Sequence, residues 1–306
     1  MKNVVNNYYD EIKNQLINNE VYKKVKDYSK NRNELSTYYN VGKLLIEAQG
    51  GEDRAKYGDG LIKEYSERLT RELGKGYTFT ALSRMRQFYL LSEKVATMSQ
   101  QLSWSHYVGL LSLKNIDEIN YYISVTERNS LSVRELREKI KNKEYQRLDD
   151  NTKLKLINKE EMDVGDNIKN PIIIKNKLGI DKENISEKIL QRLILEDIEG
   201  FMKELGDGFC FIGSEYKIKI GNTYNYIDLL LFNYIYNSFV VVELKVTEVK
   251  KEHIGQVEVY MNYIDIHVKG ISNNKSIGII VARRDNHYYI EYSSDKRIYT
   301  RDYQIV

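Results

Sequence analysis

Two apolar runs separated by a polar turn constrain this chain most, because each run carries an acid where core residues are expected. The first run is Tyr226–Phe232 and the second is Phe239–Lys245. The residues between them, 233–238, have the length and polarity of a hairpin turn. The sequence therefore predicts two antiparallel strands, each with a carboxylate inside an otherwise apolar pattern.

The register of this hairpin brings the two acids together. If Asn233 and Ser238 close the turn, Asp228 lies directly opposite Glu243, and cross-strand Cβ atoms are about 5 Å apart. Two facing carboxylates destabilise a sheet unless positive charge lies between them. A divalent cation is the natural candidate, because hard cations bind carboxylate oxygens. Lys245 projects on the same face as Glu243, since strand side chains alternate.

Two acids and a lysine at one point provide the chemistry that cuts a phosphodiester. A cation such as Mg²⁺ or Mn²⁺ polarises a phosphoryl oxygen and lowers the pKa of a bound water. A lysine can orient that water or stabilise charge on the phosphate. Glu-x-Lys alone is unspecific and recurs at 11–13, 215–217 and 248–250. The copy at Glu243 differs because it ends an apolar run, faces an aspartate and precedes a helix with a polar pair.

The pattern Asp228…Glu243-Leu244-Lys245 resembles the PD-(D/E)XK nuclease superfamily, and the wider sequence is similar to its YhcG-like branch. The resemblance implies a Mg²⁺- or Mn²⁺-dependent nuclease. Asp228, Glu243 and the Leu244 carbonyl would then ligate the metal, and Lys245 would handle the water.

Residues on two helices are expected to support this site. Gln256 and Tyr260 share one face of the helix after the second strand, because they are four residues apart. The pair resembles a motif in which Gln256 supports the metal site and Tyr260 contacts nucleic acid. The superfamily often adds a glutamate from the first core helix, and Glu196 and Glu199 are equal candidates. His253, on the same helix as Gln256, is interpreted as a surface histidine.

The first 150 residues have helical periodicity. A long first helix is expected over Val5–Glu47, with a break near Asn31–Asn33. Later, a helix, the glycine turn Gly74–Gly76 and a second helix bearing Arg84 and Arg86 suggest a helix-turn-helix that binds nucleic acid. Two packed helices with solvated arginines are the simpler alternative.

The N-terminal half is also similar to YhcG-like proteins, which implies a winged-helix-like domain. One departure is Leu131, where the family often has tryptophan. The similarity lies in the segments Tyr57–Asp59, Gly74–Tyr77, Arg84–Tyr89, Leu102–Tyr107 and Ser132–Leu136.

A charged, poorly periodic stretch marks the predicted domain boundary. We expect a helical domain over 1–150, a linker over 151–175 and a nuclease domain over 176–306. The predicted fold class is α+β, with a restriction-endonuclease-like core around a central mixed sheet. Its first helix would be capped by Ser186 and run to Leu205.

Composition excludes some classes and leaves others open. Cys210 is the single cysteine, so no disulfide forms within the chain, and we expect it to be buried. The N-terminus lacks an apolar signal core and no long apolar run occurs, so we expect a cytoplasmic protein without membrane association. The net charge of +3 is weak support for a nucleic-acid partner. Homo-oligomerisation and protein partners are left open.

The leading functional prediction is a metal-dependent nuclease acting on nucleic acid, with DNA favoured, in processing, repair or defence against foreign DNA. One alternative is a non-catalytic nucleic-acid-binding or assembly module on the same fold. Another is a salt-bridged core in which Lys245 neutralises the acids. Strand preference, sequence preference and endo- or exonuclease action are left open.

Overall fold

The computed structural model describes residues 2–24, 30–51, 59–95, 98–181, 184–284 and 295–306. The chain forms two compact units, Met1–Tyr145 and Gln146–Val306. A short 3-10 helix, Tyr145–Arg147, spans the boundary between them.

The described elements of the first unit are all helices. The predicted long first helix is two helices, and Asn31–Asn33, where we expected the break, lie in the first turns of the second one. Tyr57, Gly58 and the residues that join the two helices lie outside the described ranges. The helices are α1 (Lys2–Lys24), α2 (Lys30–Ala48), α3 (Asp59–Leu73), α4 (Phe79–Ser92), α5 (Trp104–Leu110), α6 (Ile116–Asn129) and α7 (Val133–Lys141).

The predicted helix, glycine turn and helix correspond to α3, Gly74–Gly76 and α4. Gly74 and Gly76 have φ values of 94° and 134°, which side-chain-bearing residues rarely adopt. Thr78 then begins α4, because its hydroxyl accepts a hydrogen bond from the Ala81 N–H. No strand occurs among the described residues of this unit, so the wing of a winged-helix fold is not part of what the structure describes.

The second unit begins earlier than the sequence predicts. Residues 151–175, which we expected to be a linker, contain most of α8 (Asp150–Asn158), all of α9 (Val164–Asn167) and strand β1 (Ile172–Ile174). Strand β1 extends the sheet by pairing in parallel with β6 (Ile298–Ile305), and its apolar Ile172 and Ile174 are buried there. Arg147 joins the segment to the core through ion pairing with Glu204 and a hydrogen bond to the Pro171 carbonyl.

The remaining elements also differ in detail from the prediction. The helix expected to run to Leu205 does begin after a Ser186 cap, but it divides at Asp197 into two helices. The described elements of the second unit are α8 (Asp150–Asn158), α9 (Val164–Asn167), β1 (Ile172–Ile174), α10 (Glu187–Glu196), α11 (Ile198–Leu205), β2 (Phe209–Ile220), β3 (Thr223–Asn233), β4 (Ser238–Glu248), α12 (Lys251–His267), β5 (Ile277–Arg284) and β6 (Ile298–Ile305).

The sheet is mixed, with strand order β1-β6-β5-β4-β3-β2. Strands β2, β3 and β4 are antiparallel neighbours, and β4, β5, β6 and β1 are parallel neighbours. Helices α10 and α11 pack on one face with Leu229 and Val242, whereas α12 packs on the other with Leu230 and Val241. Coverage of both faces explains the continuous apolar runs in β3 and β4.

Two further observations bear on the composition. Cys210 is exposed and not buried as we expected, and it lies on β2, one of the two edge strands of the sheet. Within the described residues, no helix has the length and apolar character needed to cross a membrane.

Candidate active site

The hairpin of β3 and β4 has the register that the sequence predicts. The paired residues run from Asn233 and Ser238, beside the turn, to Leu229 and Val242. The next position along this register places Asp228 opposite Glu243. Both acids therefore lie where the regular pairing of the two strands stops.

Side-chain hydrogen bonds replace the strand pairing at Asp228. Its carboxylate Oδ2 accepts from the Leu244 N–H at 2.8 Å, and its carbonyl accepts from the Gln191 side-chain amide at 3.0 Å. Side-chain alternation also slips here, because Ile227 packs against α12 whereas Leu229 packs against α10. This irregularity holds an acid at the sheet surface without breaking the apolar pattern on either side.

Glu243 and Lys245 form the buried part of the site. They are 3% and 9% exposed. The Lys245 ammonium donates to Glu243 Oε1 at 2.8 Å, whereas Glu243 Oε2 is buried and has no hydrogen-bond partner among the described residues. An unsatisfied oxygen on a buried carboxylate is costly, so this atom is positioned for a ligand that the described residues do not supply.

The electrostatics of the cluster favour added positive charge. Burial, reinforced by the charge of Asp228, raises the pKa of Glu243 to about 7. Burial also raises the pKa of Asp228, against its hydrogen bond from Leu244. Burial opposes the charged form of Lys245, but Glu243, Glu187 and Asp228 outweigh it and raise the pKa of the ammonium. One cation thus faces three carboxylates.

Helix α12 carries the predicted polar pair. The Gln256 side-chain amide donates to the Tyr260 hydroxyl at 3.0 Å, so the two residues share a face as expected. His253 is buried and not a surface residue, because its Nδ1 accepts the Lys250 N–H at the start of α12. Burial and the nearby charge of Lys245 lower the pKa of His253, which favours its neutral form.

A different glutamate of α10, Glu187 in the first turn, lies at the cluster. Its carboxylate lies 3.7 Å from the Lys245 ammonium. Glu196 is exposed and nine residues further along α10, about 13 Å away at 1.5 Å per residue. Glu199 is on α11 in an exposed ion pair with Lys203. Neither candidate that we named therefore lies at the cluster.

Neither α10 residue at this site was predicted from the sequence. Glu187 and Gln191 are four residues apart, so they share one helix face. Gln191 is a polar residue that is 8% exposed beside Leu190, and it could have been noticed as an interruption of the apolar face. The helix start at Ser186 was the available signal, because it fixes which turn lies nearest the strand ends.

The donor set fits a hard divalent cation only in part. Asp228, Glu243 and the Leu244 carbonyl are oxygen ligands of the type such cations prefer. No cluster of three or more His, Cys, Asp or Glu side chains in the described ranges is arranged to hold a metal. A cation here would need water or substrate oxygens to complete its coordination, as is usual for Mg²⁺.

The two arginines suggested for nucleic-acid binding lie on α4 of the first unit and differ in environment. Arg84 is exposed, whereas Arg86 is half-buried and its Nε has no partner among the described residues. Only Arg84 is therefore fully presented to solvent.

Comparisons with known proteins agree with this architecture. Residues 166–306 match the family model described as the YhcG PDDEXK nuclease domain, and residues 12–147 match the DUF1016 N-terminal domain. The chain is 30% identical over 284 residues to the protein of Escherichia coli strain K12 named "Putative nuclease YhcG". That similarity covers 81% of this chain and 76% of the relative.

One solved structure, described as a repair endonuclease from Pyrococcus abyssi, is similar over 40% of this chain with 18% identity and a TM-score of 0.29. The similarity spans about half, 49%, of that protein's length. A TM-score this low supports no conclusion about fold or function. The assignment depends instead on the two family models and on the relative matched over most of both chains: this chain belongs to the YhcG family, with a DUF1016 N-terminal domain followed by a PDDEXK nuclease domain.

Proposed function

We propose that this protein is a metal-dependent nuclease that hydrolyses phosphodiester bonds, with DNA as its substrate. The observation that carries the proposal is the unpartnered Oε2 of buried Glu243, opposite Asp228 and next to Lys245. A salt-bridged core should satisfy both oxygens of that carboxylate, whereas a site for a cation and a phosphate would leave one available.

Asp228, Glu243 and the Leu244 carbonyl would hold Mg²⁺ or Mn²⁺. The cation would supply Lewis acidity to the phosphate and a lower pKa for bound water. The hydrogen bond from the Leu244 N–H orients the Asp228 carboxylate, and the bond from Lys245 orients the Glu243 carboxylate.

Lys245 would act on the substrate side of the site. Its pKa is raised by the surrounding acids, so the side chain is charged at neutral pH. A charged lysine in this position can stabilise negative charge that develops on the phosphate. Gln256 and Tyr260 would support the same site from α12.

Binding of DNA by the first unit is a separate part of the proposal. Its support is the pair α3 and α4 with exposed Arg84 on the second helix, an arrangement that can enter a major groove. The winged-helix-like character of this unit is proposed from the family resemblance alone.

Cleavage assays with matched variants test the activity. Plasmid, linear duplex, single-stranded DNA and RNA would be incubated with Mg²⁺ or Mn²⁺ and with EDTA. We expect metal-dependent cutting that falls at least about a hundredfold in Glu243→Gln and Lys245→Met, because each loses a preorganised electrostatic group.

The chain supplies its own control for these variants. Glu248 belongs to a second Glu-x-Lys sequence at the exposed end of the same strand. Glu248→Gln should cut like the wild type. Equal cutting by all variants would contradict the assigned site, and binding without any cutting would favour the non-catalytic module.

A further inference from the structure

Beyond Asp228, strands β2 and β3 continue as a two-stranded ribbon over residues 216–227. One side of the ribbon is anchored, because Ile218 and Ile227 are 1% and 0% exposed and pack with the α12 cluster. Side chains between these positions alternate to the opposite side. That side carries the residues from which we draw an inference.

Four side chains form this exposed surface, which we name the Tyr-Lys strip: Lys217, Lys219, Tyr224 and Tyr226. The strand register pairs Lys217 with Tyr226 and Lys219 with Tyr224. Both tyrosine rings are 53% exposed, and both lysines are exposed. Tyrosines that served the core would be buried like Tyr260 on the other side of the sheet.

Cations lie against an aromatic face within the strip. The Lys217 ammonium lies 3.8 Å from the centroid of the Tyr224 ring, and the Lys219 ammonium lies 5.9 Å from it. Such contacts fix the ring and the ammonium groups side by side. The strip therefore presents flat aromatic surface and positive charge together.

The strip lies close to the candidate active site along β3, on the side of the ribbon away from α12. Tyr226 is two residues from Asp228 on the same strand, which corresponds to about 7 Å of strand length. Tyr224 lies two residues further along. A nucleic-acid strand with its scissile phosphate near Asp228 would reach the strip by passing the edge of β3 that no longer pairs with β4.

We propose that the Tyr-Lys strip binds a single-stranded stretch of nucleic acid beside the cleavage site. This inference depends on the proposed nuclease function and assigns its substrate a single-stranded segment. Exposed aromatic rings stack on unpaired bases while neighbouring cations bind phosphates, and this combination is typical of single-strand binding. Duplex DNA hides its base faces, so it would engage the lysines but leave the rings without a role.

Binding measurements without cleavage test the strip. A fluorescein-labelled oligodeoxythymidine of about 16 nucleotides, a typical upper site size, would be titrated with the full chain in EDTA and followed by anisotropy. The duplex of equal length and the matching RNA would be run in parallel. Tyr224→Ala and Tyr226→Ala should each weaken binding of the single strand at least about fivefold, because each removes a stacking surface.

Matched controls separate the strip from the rest of the surface. Tyr234 is 65% exposed at the other end of β3, so Tyr234→Ala removes an exposed ring away from the strip. Lys275 is exposed before β5 and serves as the control for Lys219. Lys219→Gln should reduce the salt dependence of binding by about 0.7 in the log–log slope, whereas Lys275→Gln should not.

The affinities of the two tyrosine variants for single strands and for duplex decide whether the proposal holds. Unchanged single-strand affinity in both tyrosine variants, or an equal loss of duplex affinity, would overturn the proposal. Loss limited to single strands, with DNA and RNA affected alike, would support it through stacking alone.

The failure of this inference is distinguishable from the failure of the nuclease proposal. Metal-dependent cutting with binding that is insensitive to Tyr224 and Tyr226 would overturn the strip proposal and support the nuclease proposal. Tyrosine-dependent binding of single strands, with no cutting under any metal condition, would overturn the nuclease proposal and support the strip as a binding surface.

Discussion

The two ends of one strand pair behave differently in this protein. Near the turn, β3 and β4 pair regularly, and Leu229, Leu230 and Leu231 are fully buried. At the other end the pairing stops, and Asp228 and Glu243 occupy the next positions of the same register. Burial of the apolar residues near the turn stabilises the fold, and this stabilisation can offset the free-energy cost of the buried acids.

The buried polar side chains at the two ends of the strand pair also differ in their hydrogen bonding. At the turn, the Asn233 side chain accepts from the Ile235 and Tyr236 N–H groups and donates to the Asp207 carbonyl. At the acid end, one oxygen of Glu243 has no partner among the described residues. A satisfied buried side chain stabilises the fold, whereas an unsatisfied one indicates a position kept for binding.

The largest expected effect on stability comes from truncating a buried apolar side chain near the turn. Leu231→Ala should lower the free energy of unfolding by about 2–5 kcal/mol, because it leaves a cavity in a packed cluster. Urea denaturation measures the change. Ile271, which is fully exposed, provides the control, and Ile271→Ala should change stability by less than about 0.5 kcal/mol. Similar losses in both variants would mean that the turn end does not carry the stability we assign to it.

Metal binding at Asp228 and Glu243 should give the next largest effect on stability. Mn²⁺ at about a hundred times its dissociation constant should stabilise the folded chain by about 2.7 kcal/mol. Thermal melts with and without the metal measure it. The gain should disappear in Glu243→Gln and persist in Glu248→Gln, since only the first residue belongs to the cluster. A metal-independent melting temperature in the wild type would favour the salt-bridged core.

The sequence predicted the regular strand pairing near the turn well, and it predicted the irregular region around Asp228 in part. The turn at Asn233 and Ser238 and the pairing that follows depend on local pattern and strand direction, which one sequence contains. The opposition of Asp228 and Glu243 followed from the same register. The slip at Asp228 did not, because it depends on packing against two different helices.

Residues contributed from other elements were harder to predict. The contact between Gln256 and Tyr260 was predictable because their spacing on one helix is local. Glu187 was missed because its approach to Lys245 depends on how α10 crosses the sheet, which no spacing reveals. Strand β1 was missed for a related reason, since its strand neighbour among the described residues, β6, is more than 120 residues away along the chain.

The pH dependence of stability provides a smaller test of the acid end. The pKa of Glu243 in the folded chain is about 7, above its ordinary value of 4.5, so the folded state holds more protons between these values. Without metal, stability should therefore fall as pH rises through this range, by at most about 1.4 kcal/mol per pH unit.

Denaturation in EDTA at a series of pH values would measure that slope. Glu243→Gln should flatten it, because the amide does not titrate, and Glu248→Gln should leave it unchanged. A wild-type slope of the opposite sign would mean that Lys245 outweighs burial and holds Glu243 charged.

The smallest effect concerns Gln191, which joins the apolar helix α10 to the irregular strand. Its amide donates to the Asp228 carbonyl, a group beyond the last paired residues of β3 and β4. Gln191→Leu keeps the volume and removes this hydrogen bond, so stability should fall by about 1 kcal/mol. Exposed Arg192, the next residue on the helix, gives the control Arg192→Leu, expected within about 0.5 kcal/mol of the wild type. If Gln191 positions Asp228, the variant should also need more Mn²⁺ for the same thermal shift. A pure loss of stability with unchanged metal dependence would limit Gln191 to holding the strand, and the acid end would then owe its geometry to the Leu244 N–H alone.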